Sequence, residues 1–581
     1  MLLRHHLTRK LEYANLHPPL ILERALVYYA LGYPDLAAAD AFVTSTLCET
    51  LADEDVSDLR PTDEDGVTPW PTSNNEGAAL QTKVSALALL SRTLCDLGCY
   101  EDAKLHYSLL QHAFEHQYMG QGSEDVDATL EKMLNEFFSL FESRQPWSLK
   151  LVSEQPIHYG MCPRHVYPWN EYERDRYSRE SIAEINQMLS KVAPDLQAGV
   201  VDLPALNGPG SKPTNDDNTS RQFGLFAKKN LPAGATILKE KSVLTGIRPR
   251  DGSLCDACAA DISRLDPVKD LKQCSGPDCD LTFCSAECAD LAAAKYHRSH
   301  TEELEPENRN QEFDDRDSEN RETEHARSDR ENAVDDGVPS PLAPFCGEAF
   351  VHEIGRAETS ESPEWDLYFL LFTRAMAMAE TQVIHPLAMQ ETKYLWGDFE
   401  ETPGVTNLPV EPFENMLPFS FRHHIEQPLQ WFEEFMHSRK DSMPYSKKWL
   451  ERYDWWIVQT LFAKFRGVAN AELSTFDGKP ESAAVHPMWC LANHSCNPNI
   501  LWTSSGVRTM MVRQAKVWHN PHDSDDPTGN AANTIRAGEQ IWSHYTDVDL
   551  DFQQRRDNLA AVLGGVCMCE RCIAEEKEQR E

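Results

Sequence analysis

Two regions of the chain carry apolar residues at helical spacing: the first 150 residues, and residues 363–466, where Trp, Phe and Leu are abundant. In the first region, Leu31-Gly32-Tyr33 with the Ala-rich run through Ala41 reads as the middle of a helical hairpin. Leu97-Gly98-Cys99-Tyr100-Glu101-Asp102-Ala103 reads the same way, with Leu94, Tyr107 and Phe114 supplying apolar faces. In each, glycine can end one helix and alanine lets the next approach closely. The polar Asp53–Glu76 stretch between them is expected to be a loop. A connector covers residues 160–215, with a helix around Ser181–Ser190. Then Phe223-Gly224-Leu225-Phe226-Ala227, Leu231-Pro232-Ala233-Gly234 and Thr236-Ile237-Leu238-Lys239-Glu240 read as strand, turn and strand. Residues 301–340 hold 15 acidic and 5 basic side chains and few apolar ones, a composition expected to be disordered. A second polar insertion, Asn520–Asn533, interrupts an expected hairpin before Gly538.

Composition narrows the function classes. The chain has 581 residues, 41% of them hydrophobic, enough for two to four domains with packed cores. Its net charge of −38 argues against direct nucleic-acid binding, because little would drive counterion release, and suits basic protein partners. No apolar run is long enough for a membrane span, and Met1 to Leu11 lacks the apolar core of a signal peptide.

Sixteen cysteines in such a chain would suggest disulfides in a small secreted protein; here their spacing suggests metal. Cys255 and Cys258, Cys274 and Cys279, and Cys284 and Cys288 fall within 34 residues, with His297 after them. A Cys-x2-Cys turn brings two thiolates to one ion at about 2.3 Å. Alternate pairs sharing ions in a cross-brace would place Cys255, Cys258, Cys284 and Cys288 on one zinc. Cys274, Cys279 and His297 would hold a second and leave it one ligand short. Near the C-terminus, Cys567, Cys569 and Cys572 offer three thiolates for a third ion. Cys48, Cys95, Cys99, Cys162 and Cys490 read as core residues.

The most informative motif is Asn493-His494-Ser495-Cys496-Asn497-Pro498-Asn499, followed by Gly538-Glu539, His544-Tyr545 and the terminal cysteines. In that order these parts resemble the C-terminal half of a SET-domain lysine methyltransferase. The strands around Gly224 resemble the first two of such a domain, and the cysteines from Cys255 to His297 resemble a MYND zinc module. Together they resemble the SET-and-MYND (SMYD) group over about residues 220–575, with a fungal subgroup a plausible home. The Leu-Gly-x-Tyr-x-x-Ala hairpins resemble tetratricopeptide units, although two are fewer than the three a free-standing solenoid needs, and an ordinary helical bundle fits the same residues. The SMYD group commonly carries its helical repeats after the SET domain, whereas here the helical part comes first.

The resemblance implies an α+β fold with a β-rich SET core. The expected organisation is a helical, TPR-like region (1–150), a connector (151–218) and a SET domain (219–547) split by insertions. The insertions are a MYND-like zinc module (255–346), containing the acidic insert 301–343, and a helical segment (347–470). A post-SET zinc tail (548–581) completes the chain. The module's final ligands in the family read H-x3-C, so Cys346, beyond the acidic insert, would close the second zinc site, with His300 the competing ligand. Cys496 would be the fourth ligand of the tail site by resemblance, with Cys490 or water as the alternative. About three zinc ions are thus expected.

The implied activity is transfer of a methyl group from S-adenosylmethionine to a lysine in a histone tail or another basic protein. Tyr545 matches the active-site tyrosine. Asn493 and His494 match residues that hold the methyl donor, with Phe223, Gly224 and Tyr545 beside it. Two departures stand out: Gln222 replaces the first glycine of a common Gly-x-Gly element, and Leu563-Gly564-Gly565-Val566 lacks an aromatic cover for the adenine, a place that Trp542 or Phe552 could take. They leave open a second reading: a catalytically weak scaffold that recruits peptide partners through its zinc module and helical hairpins. Nucleus and cytoplasm are the expected compartments.

Overall fold

The structure, a computed structural model, describes residues 1–12, 17–53, 76–114, 132, 139, 159–163, 166–204, 219–248, 253–264, 271–274, 279, 281–297, 363–395, 416–437, 447–473, 480–504, 506–519, 534–563 and 566–580. The expected acidic insert 301–343, the insertion Asn520–Asn533, and both His300 and Cys346 lie outside the described residues.

The N-terminal periodicity becomes helices α1 (Leu2–Leu11), α2 (Pro18–Ala30), α3 (Pro34–Asp53), α4 (Glu76–Leu97) and α5 (Tyr100–Ala113). Helix α2 opens with proline, whose missing N–H costs nothing in the first turn, and the His17 ring accepts the Leu20 amide. Helix α4 ends at Gly98, with φ +86°, and the Cys99 amide closes back onto the Leu94 carbonyl at 2.9 Å. Strand β1 (Tyr159–Pro163) runs against that end, and a Cβ at Gly160 would lie 2.0 Å from the Leu97 carbonyl oxygen.

Helix α6 (Arg179–Val192), capped by the Ser178 hydroxyl, leads to β2 (Leu196–Pro204), β3 (Thr219–Ala227), β4 (Thr236–Lys241) and β5 (Leu244–Ile247). The cysteine-rich segment contributes the short β6 (Lys272–Gln273) and β7 (Thr282–Phe283) and helix α7 (Ala286–Lys295). After it come α8 (Pro363–Thr381), α9 (Gln390–Lys393), β8 (Met416–Ser420), α10 (Gln427–His437), α11 (Lys447–Arg452) and α12 (Trp455–Val468). The chain continues through β9 (Ala469–Leu473), β10 (Pro480–Val485), β11 (Ile500–Thr503), β12 (Val507–Val512), α13 (Phe552–Leu563) and α14 (Glu570–Arg580). The chain is therefore mixed helix and strand, with small sheets ordered β1-β8, β5-β10-β9, β11-β12-β4, β2-β3 and β6-β7.

The strands expected around Gly224 and Leu238 are formed, but they and the segment before Gly538 find distant partners. Strand β3 pairs with β2, and β4 pairs with β12, so the turn at Leu231–Gly234 does not fold β4 back onto β3. Leu231 instead exchanges backbone hydrogen bonds with Ile535, at 2.8 and 3.0 Å. The segment entering Gly538 thus pairs with Leu231 rather than with β12. Local alternation indicates a strand but not its partner, which long-range register decides.

The two helical regions share one core. Phe42 of α3 meets Phe421 edge to face at 5.0 Å, and Tyr33 packs on Tyr167 and Trp169 of the connector. A second core lies between α6 and the strands β2, β3, β4, β11 and β12, and a third, small one holds the terminal cysteines. Among the described residues no helix is long and apolar enough to cross a membrane.

Candidate active site and metal centres

The site is built where three distant segments meet. Residues 493–499 run beside residues 540–545, with a parallel bridge between His494 and Ser543. The Ser543 amide donates to the Asn493 carbonyl, and the Ser495 amide to the Ser543 carbonyl, both at 2.8 Å. Against this pair lies β3, whose Ala227 and Leu225 exchange backbone hydrogen bonds with residues 538–541. The Asn493 side-chain amide donates to the Phe223 carbonyl at 2.6 Å. A Cβ at Gly224 would sit 2.9 Å from Gln540 Nε2, 3.2 Å from Val201 Cγ1 and 3.4 Å from Asn493 Nδ2. Close approach is thus needed at Gly224, while Gln222, two residues before it, pairs with Val201 of β2.

His494 and Tyr545 are joined twice. The Tyr545 amide donates to His494 Nδ1 at 3.0 Å, and the two rings lie 5.3 Å apart. With Nδ1 accepting, the neutral ring carries its proton on Nε2, which sits 3.3 Å from Cys496 Sγ. Burial lowers the His494 pKa to about 4, so the ring is neutral at pH 7. The Tyr545 hydroxyl donates to the Ala492 carbonyl at 2.9 Å, and burial raises its pKa well above the usual phenol range.

Other residues frame this arrangement, although no part in it was assigned to them from the sequence. Asn499 donates to the Gln540 carbonyl and accepts the Trp542 amide, both at 2.8 Å, while Asn497 accepts the Trp518 amide at 3.1 Å. The three asparagines of the motif thus tie three different segments together, and their repetition in seven residues was the signal available. Glu240 is nearly buried and accepts the amides of Met488 and Trp489; burial raises its pKa to about 7. Trp489 and Trp502 meet edge to face at 5.4 Å, and Trp502 stacks on His544.

Among the described residues, three groups of metal-ligating side chains have their donor atoms within 4.8 Å of one another. The first is Cys255, Cys258, Cys284 and Cys288. Cys255 and Cys258 share a turn held by the Ala259 amide on the Cys255 carbonyl, and Cys288 opens α7, where the Ser285 hydroxyl accepts its amide. The second is Cys274, Cys279 and His297, with His297 Nε2 3.2 Å from Cys274 Sγ. The two sets alternate along the chain, and the β6–β7 hairpin carries one arm of each. The third joins Cys496 to Cys567, Cys569 and Cys572, and the Cys572 and Cys496 sulfurs are 3.5 Å apart. Cys490 stands apart from it, its thiol donating to the Pro487 carbonyl.

The donor chemistry fits zinc: soft thiolates, largely buried and converging without carboxylates. Hydrogen bonds from Cys496, Cys567 and Cys572 hold the Cys569 thiol far below its usual range, and Cys255 and Cys258 do the same for Cys288. Sulfurs packed this closely compete for protons that a divalent cation would displace. Among the described residues, Gln540 Nε2, beside Gly224 and Asn493, is buried without a hydrogen-bond partner, as expected where a polar ligand completes the site. Cys48, Cys95, Cys99 and Cys162 are buried in the helical core, and Phe552 lies beneath the Arg556 guanidinium, packed against the tail cysteines.

No protein-family model matches the chain. A stretch of 139 residues, 23% of this chain, is 27% identical to part of histone-lysine N-methyltransferase SET5 of Yarrowia lipolytica (strain CLIB 122 / E 150). The match spans 27% of that relative's length, about a quarter. The chain is therefore distantly and partially similar to a SET-domain methyltransferase.

Proposed function

We propose that this protein is an S-adenosylmethionine-dependent protein-lysine N-methyltransferase acting on basic protein substrates such as histone tails. The observation that carries the reading is the convergence of Gly224, Asn493, His494 and Tyr545 on one junction, closed by a cysteine cluster that includes Cys496. The partial similarity to a histone-lysine N-methyltransferase supports the same chemistry. From the strands around Gly224 to the cysteine tail, the order of parts resembles the SET-and-MYND group, with Cys255–His297 as its zinc module, while the N-terminal helices, placed differently from that group's repeats, would offer a separate partner surface.

Bound S-adenosylmethionine supplies an electrophilic methyl group on a sulfonium. This chain's residues must position the donor, neutralise the lysine and exclude water. Gly224 permits the backbone to approach closely, and Asn493 and His494 fix the loop beside it. A lysine amine, with an ordinary pKa of about 10.4, must lose its proton before attack, and desolvation beside aromatic walls favours the neutral form. Tyr545 orients that amine through its hydroxyl, which stays protonated because burial raises its pKa. The zinc ligands hold the tail against this junction and take no chemical step. The acidic net charge favours encounter with Lys-rich substrates in nucleus or cytoplasm.

The test is direct. Calorimetry with S-adenosylmethionine should show one donor site, and mass spectrometry of a histone mixture should show added methyl groups that Tyr545→Phe abolishes or strongly reduces. Absence of donor binding at millimolar concentration would exclude catalysis and leave a scaffold role.

A further inference from the structure

Two buried ionisable side chains, Glu240 and Arg508, belong to none of the metal-ligating groups found among the described residues. Glu240 of β4 and Arg508 of β12 are register partners across one ladder. The Glu240 carboxylate accepts the amides of Met488 at 2.9 Å and Trp489 at 2.8 Å, and so caps the short turn Trp489–Leu491. The next residue, Ala492, provides the carbonyl that receives the Tyr545 hydroxyl.

Arg508 acts on the other side. Its guanidinium lies 4.7 Å from the Trp489 ring and 4.4 Å from the Trp502 ring. It faces Glu472 at 3.6 Å, and among the described residues none of its three nitrogens donates a hydrogen bond. A buried guanidinium without hydrogen bonds is costly, so polar satisfaction does not account for its place. The guanidinium lies beside the edge-to-face pair of Trp489 and Trp502 and packs on both rings at once, which holds the two indoles in their mutual orientation. Trp502 in turn stacks on the His544 ring at 5.3 Å with an interplanar angle of 17°, and its indole N–H donates to the His544 carbonyl at 3.3 Å. His544 directly precedes Tyr545.

We propose that Glu240 and Arg508 form a positioning pair for Tyr545, the Glu240 carboxyl setting the acceptor of its hydroxyl and the Arg508 guanidinium setting the backbone that carries its ring. This inference rests on the methyltransferase reading for its kinetic consequence, but not for its structural one. Both residues act through others: Glu240 through the 488–492 turn, and Arg508 through Trp502 and His544. Such an arrangement aligns the phenol without placing a second charge near the amine.

The test uses the full-length, zinc-loaded protein labelled with 13C-tyrosine, the Tyr545 signal being assigned by its loss in Tyr545→Phe. Three mild variants keep folding in reach. Arg508→Lys retains the charge but not the flat stacking surface, Glu240→Gln retains shape and one acceptor, and Trp502→Phe retains a ring without the N–H. Each folded variant should move the Tyr545 signal and lower kcat on a basic peptide on the order of 10- to 100-fold. Peptide KM and donor affinity should hold within a factor of about two, the pattern of lost alignment rather than lost binding. An unmoved Tyr545 signal with retained kcat in folded Arg508→Lys overturns the proposal. If the wild-type protein methylates no basic substrate, the methyltransferase reading fails separately, and a moved Tyr545 signal still supports the pair.

Discussion

Asn493 donates its side-chain amide to the Phe223 carbonyl at 2.6 Å, joining positions 270 residues apart in the chain. Removing that donor in Asn493→Ala strands a part-buried carbonyl, at a cost of about 1–3 kcal/mol. The loop would lose its registration against Gly224, where the methyl donor is expected to sit. S-adenosylmethionine affinity measured by calorimetry should fall about tenfold or more, the equivalent of 1.4 kcal/mol. Zinc content should stay at the wild-type value, since Asn493 is not a ligand. Wild-type donor affinity in the variant would remove Asn493 from the site.

Cys496 links the same loop to the tail. Its sulfur is close to Cys572 Sγ and to His494 Nε2, its amide donates to Cys569 Sγ, and the Arg571 guanidinium donates to its carbonyl at 3.1 Å. Cys496→Ser should therefore lower bound zinc by one ion, measured by elemental analysis, and abolish methyl transfer with it. Cys490→Ser is the control, because that thiol donates to the Pro487 carbonyl and stands outside the cluster. Full zinc in Cys496→Ser, or lost zinc in Cys490→Ser, would reverse the assignment.

The grouping of the cysteines between Cys255 and Cys288 was legible because their spacing encodes local geometry, whereas the place of Cys496 beside Cys567, Cys569 and Cys572 was expected only from the resemblance. The helical hairpins were legible at Gly32 and Gly98, both of which have positive φ. Strand partners were not, since β4 finds β12 some 270 residues later and nothing near Glu240 announces it. The surroundings of His494 were not legible. Its Nδ1 bond to the Tyr545 amide and its approach to Cys496 depend on threading 493–496 beside 543–545, which no local pattern reveals. Docking of the N-terminal helices was likewise invisible, because it rests on buried charges from segments more than 400 residues apart.

Arg24 carries that docking. Its side chain is fully buried, paired with Asp40 at 2.7 Å and with Asp454 at 3.2 Å, and Asp454 also caps α12 through the Trp455 amide. Removing one partner of a buried pair leaves the others uncompensated, which typically costs about 3–5 kcal/mol. Arg24→Met should lower the unfolding midpoint and expose the N-terminal helices to limited proteolysis ahead of the rest of the chain. Unchanged protease resistance would mean that the aromatic contacts of Tyr33, Tyr167 and Trp169 suffice to hold them.

His106 offers a pH test remote from every cysteine cluster. Its ring lies edge to face with Phe42 and Phe421, and among the described residues neither nitrogen has a hydrogen-bond partner. Burial lowers its pKa from 6.5 to about 4. A folded pKa below the unfolded one means that the unfolded chain binds the proton more tightly. The contribution of this residue to stability is thus present above pH 6.5 and is lost as pH falls toward 4. At one pKa unit per 1.36 kcal/mol, wild type should lose roughly 2 kcal/mol from this group by about pH 5. His106→Phe keeps an aromatic ring there and cannot be protonated. Unfolding midpoints of the two proteins, compared at about pH 7.5 and about pH 5, should shift in favour of the variant at the lower pH. Zinc release in acid affects both proteins alike, so the difference between them isolates His106. A gap that does not change with pH would show that this imidazole reaches solvent and titrates normally in the folded protein.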